Sequence, residues 1–212
     1  MVLHLSNHAV ALVSLKWADA CLAVLRAFWH QPVVTAILLL ALLVHVGVAL
    51  FSLGRRRHWR LTAWQWAQLG LGLSILPLGM THWVGTRGAA ALFDVETNHF
   101  WVLWSMASDP WQNLRQWALV LTVWLHACIG VHVWWRIKPW YPRCLPTLYA
   151  VALLLPAMAL AGAGVGLGRV LAVMEQPERL ADELATIRPP GAAEVADLYL
   201  LSDVLKGLAL SL

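Results

Sequence analysis

The sequence predicts an all-α integral membrane protein, a helix bundle with four full transmembrane helices plus a partial first and a partial sixth helix. Three observations carry this expectation. Of the 212 residues, 60% are hydrophobic and only 12% are charged, and the mean hydropathy is +0.67; a soluble domain of this size does not hide that much apolar surface. The apolar residues gather in runs of about 20, the length that crosses a hydrocarbon core of about 30 Å. Fourteen tryptophans collect at the ends of those runs, as in an interfacial aromatic belt.

At the N-terminus "MVLHLSNHAVALVSL" is apolar but only 15 residues long, and reads as the second half of a span. Full spans are expected over 32–53, 62–84, 113–135 and 145–168. Pro32 stands just inside the start of the first of these, and Asp109-Pro110 makes an N-cap and first turn leading into the third. Pro77 and Pro156 fall within spans, where they kink the helix and free a carbonyl. The bundle thus occupies 1–168. Residues 169–198 hold nine charges and Pro189-Pro190-Gly191, and are expected to form an exposed, extracytoplasmic loop with one short amphipathic helix. Residues 199–212, "YLLSDVLKGLALSL", read as the start of a further span. The short ends fit a fragment, or an unusual start and stop, of a six-helix unit.

Charge orients the bundle. Arg55, Arg56, Arg57 and Arg60 lie in one short loop and Arg136, Lys138 and Arg143 in another, neither with an acid. Every acid before Asp203 lies in the other set of loops. The positive-inside rule places the arginine-rich loops in the cytoplasm. The net charge of +4 is therefore a topology signal and does not point to nucleic acid. Cys21, Cys128 and Cys144 are isolated, with no CxxC, no CxxCH and no disulfide framework. No basic stretch precedes the first apolar run, so no cleavable signal peptide is read.

The histidines carry the chemistry. His30, His58 and His99 fall in predicted loops, where a solvated or interfacial role is the simplest reading. Six others lie in spans: His4, His8, His45, His82, His126 and His132. Lipid offers an imidazole no partner, and the spans hold almost no carboxylate to pair with. A compact zinc or copper site needs its ligands at one depth, whereas these are spread: His45 and His126 near the midplane, His132 toward the cytoplasm, His82 near the opposite face. Haem, which bridges two helices through axial histidines, fits stacked sites of this kind. Gly79 and Gly85 flank His82 on its own face, leaving a groove for a flat macrocycle, and Gly130 and Gly47 lie close to His126 and His45; the same glycines also serve close helix packing. Arg87, beyond His82, suits a haem propionate or simply snorkels. His126 and His132 point about 240° apart on one helix and serve different neighbours. The expected ligand pairs for haem iron are His45 with His132 for an inner haem and His8 with His82 for an outer one. His4 and His126 are held in reserve, and His126 is the alternative to His132.

In order and spacing, "HLSNHAVALVSL", "LLVHVGVALFSL", "HWVGTRGAAALF" and "WLHACIGVHVWWRIKPWY" resemble the haem-binding membrane anchor of bacterial class III adenylate cyclases. That anchor is similar in architecture to the cytochrome b subunit of succinate dehydrogenase and fumarate reductase. The resemblance covers positions 3–170 and places all six span histidines on the family's histidine positions. It implies a bacterial inner-membrane, multi-pass b-type cytochrome carrying two haem b groups, and electron transfer or redox sensing with quinone or quinol as partner. It also implies a ferredoxin-like domain and a cyclase domain, fused or adjacent; neither is present in these residues, and no catalytic residue is assigned. Thr81 stands where the family often has an acid. A homodimer is compatible with this reading. Two other classes stay open: a proton- or ion-handling protein using the histidines directly, and a structural anchor without cofactor.

Overall fold

The computed structural model describes residues 1–211, and all regular structure among them is helical. The N-terminal run forms two helices. α1 (Val2–Val10) ends in a turn, and α2 (Leu15–Trp29) begins after Ser14, whose backbone is extended. The half-span expected here is broken because the carbonyls freed at the end of α1 find another donor. The Arg169 guanidinium donates to the carbonyls of Ala11, Leu12 and Val13 at 3.0, 3.4 and 3.5 Å, which satisfies a helix end that would otherwise need water.

α3 (Pro32–Gly54) starts with Pro32 at its first turn, where the missing N–H costs nothing. α4 (Ala63–Trp83) is opened by a capping box between Thr62 and Gln65 and contains Pro77. It runs on through a π-helical segment, Val84–Gly88, and α5 (Ala89–Phe93), and stops at Asp94, which adopts the left-handed conformation. In the π segment the Thr86 hydroxyl donates to the His82 carbonyl at 2.7 Å, taking up an acceptor that the wider turn leaves over.

α6 (His99–Ser108) lies where the sequence led us to expect a loop. Asn98 caps it by accepting from the Trp101 N–H at 2.9 Å, and His99, Phe100, Trp101, Leu103 and Met106 are buried. α7 (Pro110–Trp135) has the predicted Asp109 cap, which accepts from the Trp111 N–H at 2.9 Å. α8 (Tyr141–Met174) continues past residue 168, and its 34 residues outreach a hydrocarbon core of about 30 Å. Within 169–198 the chain is largely helical: the end of α8, the short amphipathic α9 (Pro177–Ile187), and α10 (Ala192–Leu210), which begins before residue 199. Leu212, within the expected further span, lies outside the described residues.

Among the described residues, three helices are long and apolar enough to cross a membrane: Pro32–Gly54, Pro110–Trp135 and Tyr141–Met174. The expected span 62–84 forms a helix but is not among them, because Trp64, Gln65, Trp66 and Gln68 dilute its first half. A stripe of small residues on α8 sets the packing. A Cβ on Gly162 would strike the His8 carbonyl, and one on Gly166 would lie 2.7 Å from Leu103 Cδ1. Gly162 thus admits the backbone of α1, and Gly166 admits a side chain of α6. α3 is the opposite case: it buries none of its residues, and its main helix contact is with α2.

Candidate functional site

A cavity of about 480 Å³ opens between α1, α2, α4, α6, α7 and α8, a size that suits a small-molecule or cofactor site. His4, His8, His82 and His99 line it. The spacing of α1 puts His4 and His8 on one face, with Nε2 atoms 3.3 Å apart and ring centroids 4.7 Å apart. The His4 ring is 6.0 Å from that of His82, and the His8 ring 5.4 Å from that of His99. His82, from α4, has its Nδ1 3.0 Å from Gln116 Oε1. An amide oxygen only accepts, so Nδ1 carries the proton and Nε2 is left free.

His99 does not stay in the solvent. It is 4% exposed, its Nδ1 donates to Asp19 Oδ1 at 2.7 Å, and its Nε2 lies 3.4 Å from Asn7 Nδ2. Asp19 also accepts the His99 backbone N–H at 2.8 Å. At the mouth of the cavity stand Arg26, His30 and Arg87. Arg26 pairs with Glu96 at 2.8 Å, while Arg87 donates to Thr35 Oγ1 at 3.3 Å and has no acidic partner among the described residues. His30 is shifted below its ordinary value of 6.5, first by partial burial and then by the positive charges of Arg87 and Arg26.

The other span histidines form a second site. His45 on α3 faces His126 on α7, with ring centroids 6.1 Å apart. His126 Nδ1 donates to the Gln68 backbone carbonyl at 3.2 Å, and Gln68 Nε2 lies 3.4 Å from its Nε2. Gly72 makes the room: a Cβ there would lie 3.0 Å from His126 Cε1. His132, expected beside His45, instead has its Nδ1 2.7 Å from the Tyr141 hydroxyl at the start of α8. The two α7 histidines do face different neighbours, as their angular separation requires. His126, not His132, is the one turned toward α3. Gln116 and His126 are separated by about 15 Å of helix rise along α7, which sets the spacing of the two sites.

No group of three or more His, Cys, Asp or Glu side chains is arranged to hold a metal ion among the described residues. Pairs are another matter. Two imidazoles bound on opposite sides of one metal through bonds of about 2.0 Å have ring centroids about 6 Å apart. His4–His82 and His45–His126 meet that separation, whereas the hydrogen-bonded His4–His8 pair is too close. Of the expected ligand pairs, His8 and His82 come into one cavity but His4 lies beside His82, and His45 meets His126. Among the glycines, Gly79 lines the large cavity and a Cβ on Gly85 would meet nothing within 4 Å. His99 and Gly72 were missed. Asn98 ahead of the apolar "HFWVLW" was a legible cap signal for α6, and Asp19 was a lone acid seeking a partner.

No protein-family model, no curated protein and no solved structure matches the chain.

Proposed function

We propose that the chain is a membrane-embedded b-type cytochrome module for electron transfer or quinone-redox sensing. It resembles the anchor of a redox-regulated adenylate cyclase, set in a bacterial inner membrane with its arginine-rich loops in the cytoplasm. The observation that carries the reading is the pair of imidazole couples, His4–His82 and His45–His126, each joining two helices at 6.0 and 6.1 Å between ring centroids. In each couple one histidine has its Nδ1 proton held by an oxygen, the side-chain oxygen of Gln116 or the carbonyl of Gln68. Such a bond fixes the tautomer, as in metal-ligating histidines; it leaves His82 Nε2 free, while His126 Nε2 faces the Gln68 amide, which a ligated metal would displace.

The residues around His4 and His82 fit a flat macrocycle. The large cavity offers apolar walls between His4 and His82, with Arg87 and Arg26 at its mouth for the propionates. Around His45, α3 buries none of its residues, which leaves this couple the less enclosed of the two. Haem bound there supplies reversible one-electron redox chemistry. The protein's part is to orient each macrocycle, hold the ligand tautomers and exclude water. Quinol or quinone is the two-electron partner, and a ferredoxin-like and cyclase output, fused or adjacent, is the implied receiver.

The test is a dithionite-reduced minus oxidised spectrum of purified protein expressed with ample haem, with a pyridine haemochrome count. Two b-type haems per chain support the reading. A folded chain without such bands would overturn it and return the clustered histidines to proton handling.

A further inference from the structure

The end of the bundle away from the large cavity gathers positive charge. α4 and α7 run antiparallel in a single register: Gln116 lies beside His82, His126 beside Gly72, and Gly130 beside Gln68. Continued to the helix ends, that register brings Trp134 level with Trp64 and Lys138 level with Arg60. The segment between α3 and α4 and the one between α7 and α8 therefore emerge together. The first carries Arg55, Arg56, Arg57 and Arg60; the second carries Arg136 and Lys138, with Arg143 in the first turn of α8. All of these cations are exposed, and none forms an ion pair among the described residues. Cations elsewhere are matched: Arg26, Arg115 and Arg188 pair with Glu96, Asp109 and Asp94. Exposed indoles ring the same end, from Trp59 and Trp64 on one side and Trp134 and Trp140 on the other.

We propose that this end of the bundle binds the phosphate headgroups of anionic phospholipids in the surrounding leaflet. The proposal rests on the membrane reading and is independent of haem. Charge selects the ligand: like charges gathered without an acid repel one another, and a counter-charge from outside relieves them. Guanidinium groups suit phosphate in particular, because their paired N–H donors match its oxygens. Depth selects the source. α3 and α7, both long and apolar enough to cross a membrane, end at these two segments, so the cations stand at headgroup level with the indoles in the interfacial layer. An acidic protein surface would meet the cations and leave the exposed indoles unmatched. A phospholipid takes both, with its phosphate on the guanidinium groups and its glycerol and upper acyl chain against the tryptophans.

The experiment reconstitutes the purified full chain in phosphatidylcholine vesicles and follows trace spin-labelled phosphatidylglycerol or phosphatidylcholine by electron spin resonance. The motionally restricted component reports lipid held against the protein. The expected result is an association constant for phosphatidylglycerol at least about fivefold above that for phosphatidylcholine, falling toward equality as salt is raised. The triple variant Arg55→Gln, Arg56→Gln, Arg57→Gln should lose most of this preference. Arg136→Gln with Lys138→Gln should lose part of it, and serves if the triple variant does not fold. A restricted component without headgroup preference overturns the proposal and leaves the membrane reading standing. If that chain also captures polyglutamate in a salt-sensitive way, the cations belong to an acidic protein surface instead. A preference unchanged in both folded variants also overturns the proposal, since the lipid is then held elsewhere. Absence of any restricted component with either label overturns the membrane reading, and the proposal falls with it.

Discussion

At one end of the bundle four imidazoles crowd a single cavity and hydrogen-bond to one another and to Asn7, Asp19 and Gln116. Lower down, His45 and His126 face each other across helices that share few other contacts. The crowded site is fixed by packing: α1 lies so close on α8 that Gly162 has no room for a Cβ, and Arg169 ties down its end. The sparse site is fixed on one side only. Gln68 and Gly72 seat His126, while His45 rides on a helix that buries nothing. The difference teaches where redundancy lies. The crowded site has spare imidazoles within a few ångströms, and the sparse one has none.

On the proposed cytochrome reading, with one haem at each imidazole couple, the sharpest way to break this comparison is to remove one imidazole at a time and count haem. His126→Ala should lose one haem of two outright, because no other histidine faces His45. His82→Ala should do the same at the crowded site, where His82 is the anchored member. His4→Ala should cost only part of its haem, since His8 stands 3.3 Å away on the same face. His132→Ala should keep both haems, its partner being Tyr141. Loss of a haem in His132→Ala with retention in His126→Ala would reverse the inner pairing.

Less drastic is Gly162→Leu, which attacks the packing and leaves every ligand in place. The added side chain collides with the His8 carbonyl, and α1 must move off α8. Overpacking of this kind costs about 1–3 kcal/mol in a rigid contact. The thermal midpoint should fall, and the haem of the crowded site should be lost before that of the sparse one. Equal loss at both sites would mean that α1 does not belong to one of them alone.

How much of this was legible depends on which property the sequence encodes. Helix starts with a proline or a cap were readable, and Pro32, Asp109 and Pro110 stand where expected. Depth along a helix follows from counting, which placed His45 and His126 near one level. Neighbour choice does not follow from counting. The sequence equally allows His132 beside His45, yet two residues about 240° apart on one helix cannot both face α3, and it is His126 that does. α6 reads as a loop in the sequence because its ten residues are too few to register as a span, and His99 reads as a loop residue with it. The break between α1 and α2 depends on Arg169, more than 150 residues away, and no local pattern announces a cap supplied from that distance.

Gly72→Ala tests the sparse site more gently. Its Cβ would lie 3.0 Å from His126 Cε1 and 3.4 Å from Nδ1, so the ring must give by a few tenths of an ångström and strain its bond to the Gln68 carbonyl. Part of a hydrogen bond, about 1 kcal/mol, is at stake. Both haems should remain, and a potentiometric titration should show one wave shifted and the other unmoved. Two shifted waves would mean that the sites are coupled through α4 more tightly than their packing implies.

The smallest effect is at the mouth of the crowded site, and it asks whether Arg87 meets an anion there. His30 titrates below 6.5 because of partial burial first and of the Arg87 and Arg26 charges second. A histidine depressed in this way favours the neutral folded form; its contribution to stability is present above the ordinary value and is lost as pH falls through the lowered one. The contribution is minor, because His30 is mostly in solvent. Its titration midpoint is nonetheless a local gauge of Arg87. Haem propionates seated against Arg87 cancel part of its field, so the His30 midpoint, followed by the NMR signal of the imidazole, should rise toward 6.5 on loading with haem. Arg87→Gln should raise it in the haem-free chain and abolish the further rise on loading. A midpoint indifferent to haem would place the propionates away from Arg87, and would leave that arginine to Thr35 and the interface.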